Sequence, residues 1–325
     1  MDKIISIYVH IQNYVDAESR ILKLLEDRAE DGILQSEITS VLNLSKSRVS
    51  EIISKLEEEK IVIRKKVSSK SYRVWLSKYS PEPIEGLTRI GILKASEYPK
   101  VIKAGKNAFI RVFNNSIELT KALISGYVDI AASPLITQVF FGVLMKNILI
   151  FRIVAMNGSG IFFSNSKSEY FGSSEFSTME RNLRRYLKAK GLKAKIRYFK
   201  SADDMIKNLN ELRGLAIWEP YLTSLIGEKE LFNEVIGDFV CCTLAVNKNF
   251  LEVNRDEFDE FLDRFDSARV HKSDAEKLSE LIGFDKNTIF KSFSSYDFDI
   301  VQDEGIVLKE LESIRFGGVD EILKF

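Results

Sequence analysis

The apolar positions change period twice along the chain, and each change marks an element boundary. From Ala17, the residues Ile21, Leu24, Leu25 and Ala29 recur at helical spacing, and the run stops near Asp31-Gly32, where glycine suits a helix end. Ser36 to Val41 predicts a short second helix, Leu42-Asn43-Leu44 a tight turn, and Ser45 the N-cap of a third helix with Val49, Ile52, Ile53 and Leu56 on one face. After Lys60 the period drops to two. Ile61-Val62-Ile63 and Val67 lead into a Ser68-Ser69-Lys70-Ser71 turn, and Tyr72, Val74 and Leu76 return as the second arm of a β-hairpin. Pro81, Pro83 and Gly86 then interrupt both patterns, which predicts a linker at residues 80–87.

Beyond the linker, strand and helix patterns alternate. "RIGIL" from Arg89 and "AFIRVF" from Ala108 read as strands, and a helix starts near Asn115 with Ile117, Leu119, Leu123 and Ile124 on its apolar face. Gly126 ends that helix, Val128 to Ala132 forms a strand, and Ser133-Pro134 opens another helix. Such alternation predicts an α/β domain with a mostly parallel sheet over residues 88–325. From Asn254 the chain reads as mainly helical, with Phe258, Phe261, Leu262 and Phe265 on one stripe.

Length and charge refine this outline. A chain of 325 residues predicts two or three packed units, and 47 cations against 47 acids exclude a global field that draws nucleic acid or membrane. Any such attraction must be local, and one candidate patch exists. The third helix turns Lys46, Ser47, Arg48, Ser50, Ser54 and Lys55 away from its apolar face, with Ser45 at its start, and the hairpin adds Arg64, Lys65, Lys66, Lys70 and Arg73 with no acid among them. Cations and short polar groups on a helix beside a basic hairpin suit phosphates and base edges. The run "LQSEITSVLNLSKSRVSEIISKLEEEKIVIRKK" resembles the winged helix-turn-helix of MarR-type and TrmB-type regulators over about Ala17 to Lys78, so a winged helix-turn-helix domain is expected at residues 17–79. That resemblance implies double-stranded DNA as partner and a homodimer on two half-sites. The leader at residues 1–16 either supplies the dimer contact or packs on its own domain. A protein-interaction module is the plainer alternative for the whole block.

Other compositional marks exclude chemistry. The two cysteines, Cys241 and Cys242, are adjacent and too few for a disulfide framework or a zinc site. His10 and His271 are the only histidines and neither sits in a catalytic pattern, while phosphate-loop, metalloprotease and nucleophile-elbow motifs are absent. No enzyme activity, metal or cofactor is therefore expected. The N-terminal residues lack the order of a signal peptide and the apolar stretch Leu135 to Phe151 is interrupted by Gln138, Lys146 and Asn147, so a cytoplasmic protein without a membrane span is expected.

Two phrases carry a second resemblance. "NNSIELTKALISGYVDIAASPL" and "ELRGLAIWEPYLTSLI" are similar to the matching parts of the two lobes of type II periplasmic substrate-binding proteins of the sulfonate, nitrate and thiamine-precursor branch. The resemblance implies a two-lobed domain with a small-molecule effector in its cleft. In α/β folds ligands lie beyond the C-terminal ends of strands, near helix N-termini. By that rule the candidates are Ser133, Ser159, Gly160, Ser173 and Ser174, which otherwise read as ordinary caps and turns. Trp218 and Glu219 offer a stacking face and an acceptor, or a core residue and a helix-start acid; Cys242 and Thr243 read first as small core residues of a strand. The combined expectation is a ligand-responsive transcriptional regulator. Its rivals are an enzyme of the same fold with a DNA-binding head and a DNA-binding protein whose large domain only dimerises.

Overall fold

A computed structural model describes residues 16–164, 166–312 and 317–325. The leader's expected dimer contact lies outside the described residues. The chain divides between Ile84 and Glu85, inside the stretch expected as a linker.

The smaller unit begins with helix α1, residues 16–28, which buries Ala17, Ile21 and Leu25. Strand β1 (Ile33–Leu34) and helix α2 (Gln35–Leu42) follow, and Asn43 takes the left-handed conformation, φ 52°, that ends α2. Helix α3 (Lys46–Glu58) starts where the Ser45 hydroxyl accepts a hydrogen bond from the Arg48 amide at 3.2 Å, and it buries Val49, Ile52, Ile53 and Leu56. Strands β2 (Val62–Ser68) and β3 (Ser71–Leu76) form an antiparallel hairpin, and β1 pairs with β3 to complete a three-stranded sheet. The apolar stripes of α1, α2 and α3 meet on this sheet through Ile21, Leu25, Ile38, Ile52, Val62 and Val74, so periodicity alone locates this core.

The larger unit holds two sheets. The first contains β4 (Arg89–Leu93), β5 (Phe109–Phe113), β6 (Ile130–Pro134) and β7 (Ile148–Asn157), and the second contains β8 (Ser159–Phe163), β9 (Tyr170–Ser173), β10 (Lys195–Tyr198), β11 (Gly214–Trp218) and β12 (Lys229–Leu231). Strands β13 (Val240–Asn247) and β14 (Tyr296–Asp297) return to the first sheet, whose order is β14-β7-β13-β6-β4-β5; the second runs β10-β9-β11-β8-β12. Helices α4 (Pro99–Ala104), α5 (Ser116–Ile124) and α6 (Leu135–Met145) serve the first lobe, and α7 (Thr178–Ala189) carries the β9-to-β10 crossover of the second.

The mostly parallel sheet expected from alternation is corrected to two mixed sheets. Strands β4, β5 and β6 pair in parallel, as do β9, β10 and β11, but β13 runs antiparallel to both β6 and β7, and β8 runs antiparallel to β11 and β12. The reason is topological. The chain leaves the first lobe along β7, crosses at Asn157-Gly158 and comes back along β13, so the outgoing and returning strands lie side by side in opposite directions. Asn157 and Gly158 both have positive φ, 65° and 74°, and a side chain on Gly158 would collide with the Tyr296 ring at 1.8 Å, which demands glycine at the crossing.

Two features lock the first lobe. Asp129 accepts bonds from the Arg89 amide, Nε and Nη2 at 2.8, 2.9 and 2.6 Å, forming a fully buried pair where β4 and β6 begin. The helix Arg255–Ser267 buries Phe258, Phe261, Leu262 and Phe265, and Phe258 meets Phe151 of β7 edge-on at 4.8 Å. Arg152 pairs with Asp266 at 3.0 Å.

Candidate functional site

Strand ends and helix starts of both lobes converge on one small cavity of about 30 Å³. From the first lobe come Leu93 at the end of β4, Asn115 and Ser116 at the start of α5, and Pro134 at the end of β6. The second lobe contributes Ser174, Ser177 and Met179 at the start of α7, Lys200 after β10, and Trp218 at the end of β11. Glu97, Cys241 and Cys242 line the cavity beside the returning strand.

Each helix start is built by its own sequence. Asn115 Oδ1 accepts from the Glu118 amide at 2.8 Å, and Ser177 Oγ accepts from the Glu180 amide at 3.2 Å. Helices of nine and twelve residues thus present capped N-termini to the same space, each with a partial positive charge, and Lys200 adds a full one.

The opposite side is buried. Trp218 is 9 % exposed and donates from Nε1 to the Lys94 carbonyl at 3.1 Å, which ties the second lobe to the first. The Cys242 thiol donates to Glu97 Oε1 at 2.8 Å, Tyr296 Oη donates to Glu97 Oε2 at 2.7 Å, and the Tyr98 hydroxyl lies 3.7 Å from Cys242 Sγ. Burial pushes the Glu97 carboxyl up from its ordinary value, against the bonds it receives, and burial also pushes the Cys242 thiol up. Among the described residues, Glu97, Cys241 and Cys242 place three possible metal ligands within 4.8 Å of one another.

Of the nine residues expected to touch a ligand, Ser174, Trp218 and Cys242 line the cavity. The other six lie outside its lining. Ser133 Oγ faces Thr120 Oγ1 at 3.5 Å, under α5, and Thr243 Oγ1 donates to Gln138 Oε1 at 2.6 Å, under α6. Ser159 is buried opposite Trp218 in the β8–β11 register, and its hydroxyl has no hydrogen-bond partner among the described residues. Gly160 permits close strand approach, since a side chain there would meet the Glu230 carbonyl at 2.3 Å. Ser173 Oγ reaches only the Ser174 carbonyl, at 3.5 Å. Glu219 accepts from the Thr223 amide and hydroxyl at 2.8 and 2.9 Å and from Ser295 Oγ at 3.0 Å, so it holds a turn together.

Glu97, Ser116, Ser177, Met179 and Lys200 were not among the expected ligand contacts, and Asn115 was read only as a helix start and Cys241 only as one of two adjacent cysteines. The two caps had a readable signal, since Asn115 and Ser177 each stand three residues before a Glu at a helix start. Glu97 had none.

Five of the eight cations expected on DNA are met by acids or a carbonyl of the smaller unit. Arg48 lies 3.6 Å from Glu51, Lys55 is 2.9 Å from Glu18 and 3.9 Å from Glu59, Arg64 is 2.6 Å from Glu57, and Lys65 pairs with Glu82. Arg73 donates to the Asp31 carbonyl at 2.7 Å, and the Ser47 and Ser45 hydroxyls share a bond of 3.1 Å. Lys46, Ser50 and Lys70 line an open surface hollow with Tyr72, Ser54 is half-buried on α3, and Lys66 is exposed on β2.

No family model and no curated protein sequence matches the chain. Solved structures do. The zinc-bound ligand-binding component of an ABC-type import system from Staphylococcus aureus is 18% identical, with a TM-score of 0.61, over 73% of this chain and 96% of that one. The nitrate-binding protein of Synechocystis PCC 6803 is 13% identical, TM-score 0.57, over 74% and 87%. The alkanesulfonate-binding protein of Xanthomonas axonopodis pv. citri, bound to MOPS, is 15% identical, TM-score 0.56, over 71% and 91%. The chain therefore contains the two-lobed, mixed α/β fold of type II periplasmic binding proteins. These neighbours are small-ligand-binding proteins, and they overturn the expectation of a DNA-binding transcriptional regulator with double-stranded DNA as partner. The physical reason for the error is visible in the smaller unit. Ser45, Lys46, Ser47, Arg48, Ser50, Ser54, Lys55, Arg64, Lys65, Lys66, Lys70 and Arg73 were read as one basic face, yet five of the eight cations are met by acids or a carbonyl that a linear count of charge overlooks.

Proposed function

We propose that residues 85–325 bind a small organic anion between the two lobes, by reversible binding and without turnover. The carrying observation is the convergence of two capped helix N-termini from opposite lobes, with Lys200, on one closed cavity. An anionic head placed there meets backbone N–H groups, while Leu93, Met179 and Trp218 face the apolar remainder. Both Glu97 oxygens already accept hydrogen bonds, from the Cys242 thiol and the Tyr296 hydroxyl. The sulfonate- and nitrate-binding neighbours support an anion as the ligand class. For the smaller unit, the α2–turn–α3 arrangement with its hairpin supports a winged-helix-like architecture, and no ligand is assigned to it.

A calorimetric titration with alkanesulfonates, arylsulfonates and nitrate tests the proposal. At least one is expected to bind in a one-to-one ratio and to raise the unfolding temperature. Lys200→Met is expected to weaken that binding about tenfold, the scale of one charge-assisted hydrogen bond. Equal affinity in wild type and Lys200→Met, or no binding across the panel, would sink the anion reading.

A further inference from the structure

The floor of the cavity carries a second kind of chemistry. Successive residues of a strand normally point to opposite faces, so adjacent cysteines should separate. Here they do not. The register between β13 and β7 shifts at Val240/Cys242 and again at Cys242/Thr243: Val240 pairs with Met156, Cys242 with Ala155, and Cys241 is the extra residue of a β-bulge. Both cysteines consequently line the cavity, with their sulfurs 3.8 Å apart and unbonded.

That separation suits a metal. With metal–sulfur bonds of about 2.3 Å and tetrahedral angles, two thiolates on one ion lie about 3.8 Å apart. Glu97 supplies a third donor: its Oε1 accepts the Cys242 thiol proton at 2.8 Å, a contact that would lose that proton and widen to about 3.5 Å with one tetrahedral ion between the two atoms, and its other oxygen is fixed by the Tyr296 hydroxyl at 2.7 Å. A ligating carboxylate held from behind by a hydroxyl is the usual outer support of a metal site. We propose that Glu97, Cys241 and Cys242 form a three-ligand site for one thiophilic d¹⁰ cation, of the Zn²⁺ or Cu⁺ class, with its fourth position open to the cavity. Two sulfurs exclude Mg²⁺ and Ca²⁺, which take oxygen ligands. The Met179 thioether lines the same cavity and suits Cu⁺. The three donors share the cavity with the helix starts and Lys200, but none of them belongs to those anion-facing groups.

The full chain, stripped with chelator and kept reduced under argon, is titrated with Zn²⁺ and with Cu⁺ against chromophoric competitors, and with Co²⁺ as a spectroscopic probe. One equivalent is expected to bind, and the Co²⁺ form is expected to show thiolate-to-metal charge-transfer absorption with tetrahedral d–d bands. Cys241→Ser with Cys242→Ser should remove the charge-transfer band and weaken binding about 100-fold or more. Glu97→Gln should weaken binding while keeping that band. Circular dichroism checks the fold of each variant, and Cys241→Ser alone, which leaves the Cys242–Glu97 bond in place, is read if the double variant fails to fold. Substoichiometric binding of both Zn²⁺ and Cu⁺, or one-equivalent binding unchanged by loss of the cysteines, overturns the site. Lys200→Met must leave metal binding unchanged, so failure of the anion proposal and failure of the metal site give different results.

Discussion

The two units place polar groups in opposite settings. In the smaller unit, cations and acids meet at the surface: Lys65 and Glu82 are half exposed, and Lys78 reaches Glu26 beside solvent. In the larger unit the polar groups that organise the fold are out of water, as Arg89, Asp129, Glu97 and Glu219 show. Exposed pairs are nearly balanced by hydration and side-chain entropy, whereas a buried group without its partner has no substitute. The difference explains why the eye-catching cation pattern of α3 and the hairpin misled, while inconspicuous acids such as Glu97 sit at the site. Charge density along a sequence reports on surfaces; burial decides which charges matter.

The sharpest way to break this comparison is to remove one member of the buried pair. Asp129→Ala leaves the Arg89 guanidinium without the carboxylate that accepts three of its unit's bonds. The variant should lose about 3–5 kcal/mol of stability, measured by urea unfolding. A loss below about 1 kcal/mol, the scale of an exposed pair, would erase the distinction between the units.

Acidity offers an intermediate test, because Glu26 and Glu219 are shifted in opposite directions. The hydrogen bond from Lys78 holds the Glu26 carboxyl below its ordinary value, with help from Tyr79, whereas burial pushes the Glu219 carboxyl up despite the bonds from Thr223 and Ser295. A depressed folded value means that Glu26 contributes stability above the unfolded value of about 4.3, and that this contribution is lost as pH falls through the folded one. A raised value means that the Glu219 contribution is present below about 4.3 and is lost as pH rises through the folded value. Relative to Glu26→Gln, the wild type should lose stability on acidification below about pH 4; relative to Glu219→Gln, it should lose stability on going from about pH 4 upward. Unfolding curves at half-unit pH steps measure both, and parallel slopes for the two variants would contradict the assignment.

The same contrast explains what was legible in the sequence. Half-buried elements announce themselves: the stripe Val49, Ile52, Ile53, Leu56 and the cap at Ser45 located α3, and the alternation at Val62 and Val74 located the hairpin. Fully buried strands do not. Every residue of β6 and β13 is buried, so alternation carries no parity, and nothing in "IAASP" or "VCCTLAV" says that Pro134 and Cys242 face the cavity while Ser133 and Thr243 face helices. The bulge that turns Cys241 toward Cys242 is set by pairing with β7, a strand more than eighty residues earlier, and no local pattern encodes it. Strand direction was hidden for the same reason, since it follows from where the chain crosses between lobes. Glu97 stands in a connection between β4 and α4 and acquires its role only when Cys242 and Tyr296 arrive from distant positions.

The smallest expected effect closes the comparison from the surface side. Lys65 and Glu82 form a pair whose side chains are 50% and 55% exposed. A double-mutant cycle with Lys65→Gln and Glu82→Gln should give a coupling of about 0.2–1 kcal/mol at low salt. At about 1 M salt the screening length falls to about 3 Å, comparable to the pair itself, and the coupling should shrink toward zero. Both readings come from chemical unfolding of the smaller unit, followed by far-ultraviolet circular dichroism. A coupling above about 2 kcal/mol that survives high salt would mean that the surface pairs of this unit are as strongly organised as the buried ones, and that its charge pattern is more than a solvated, self-neutralising face.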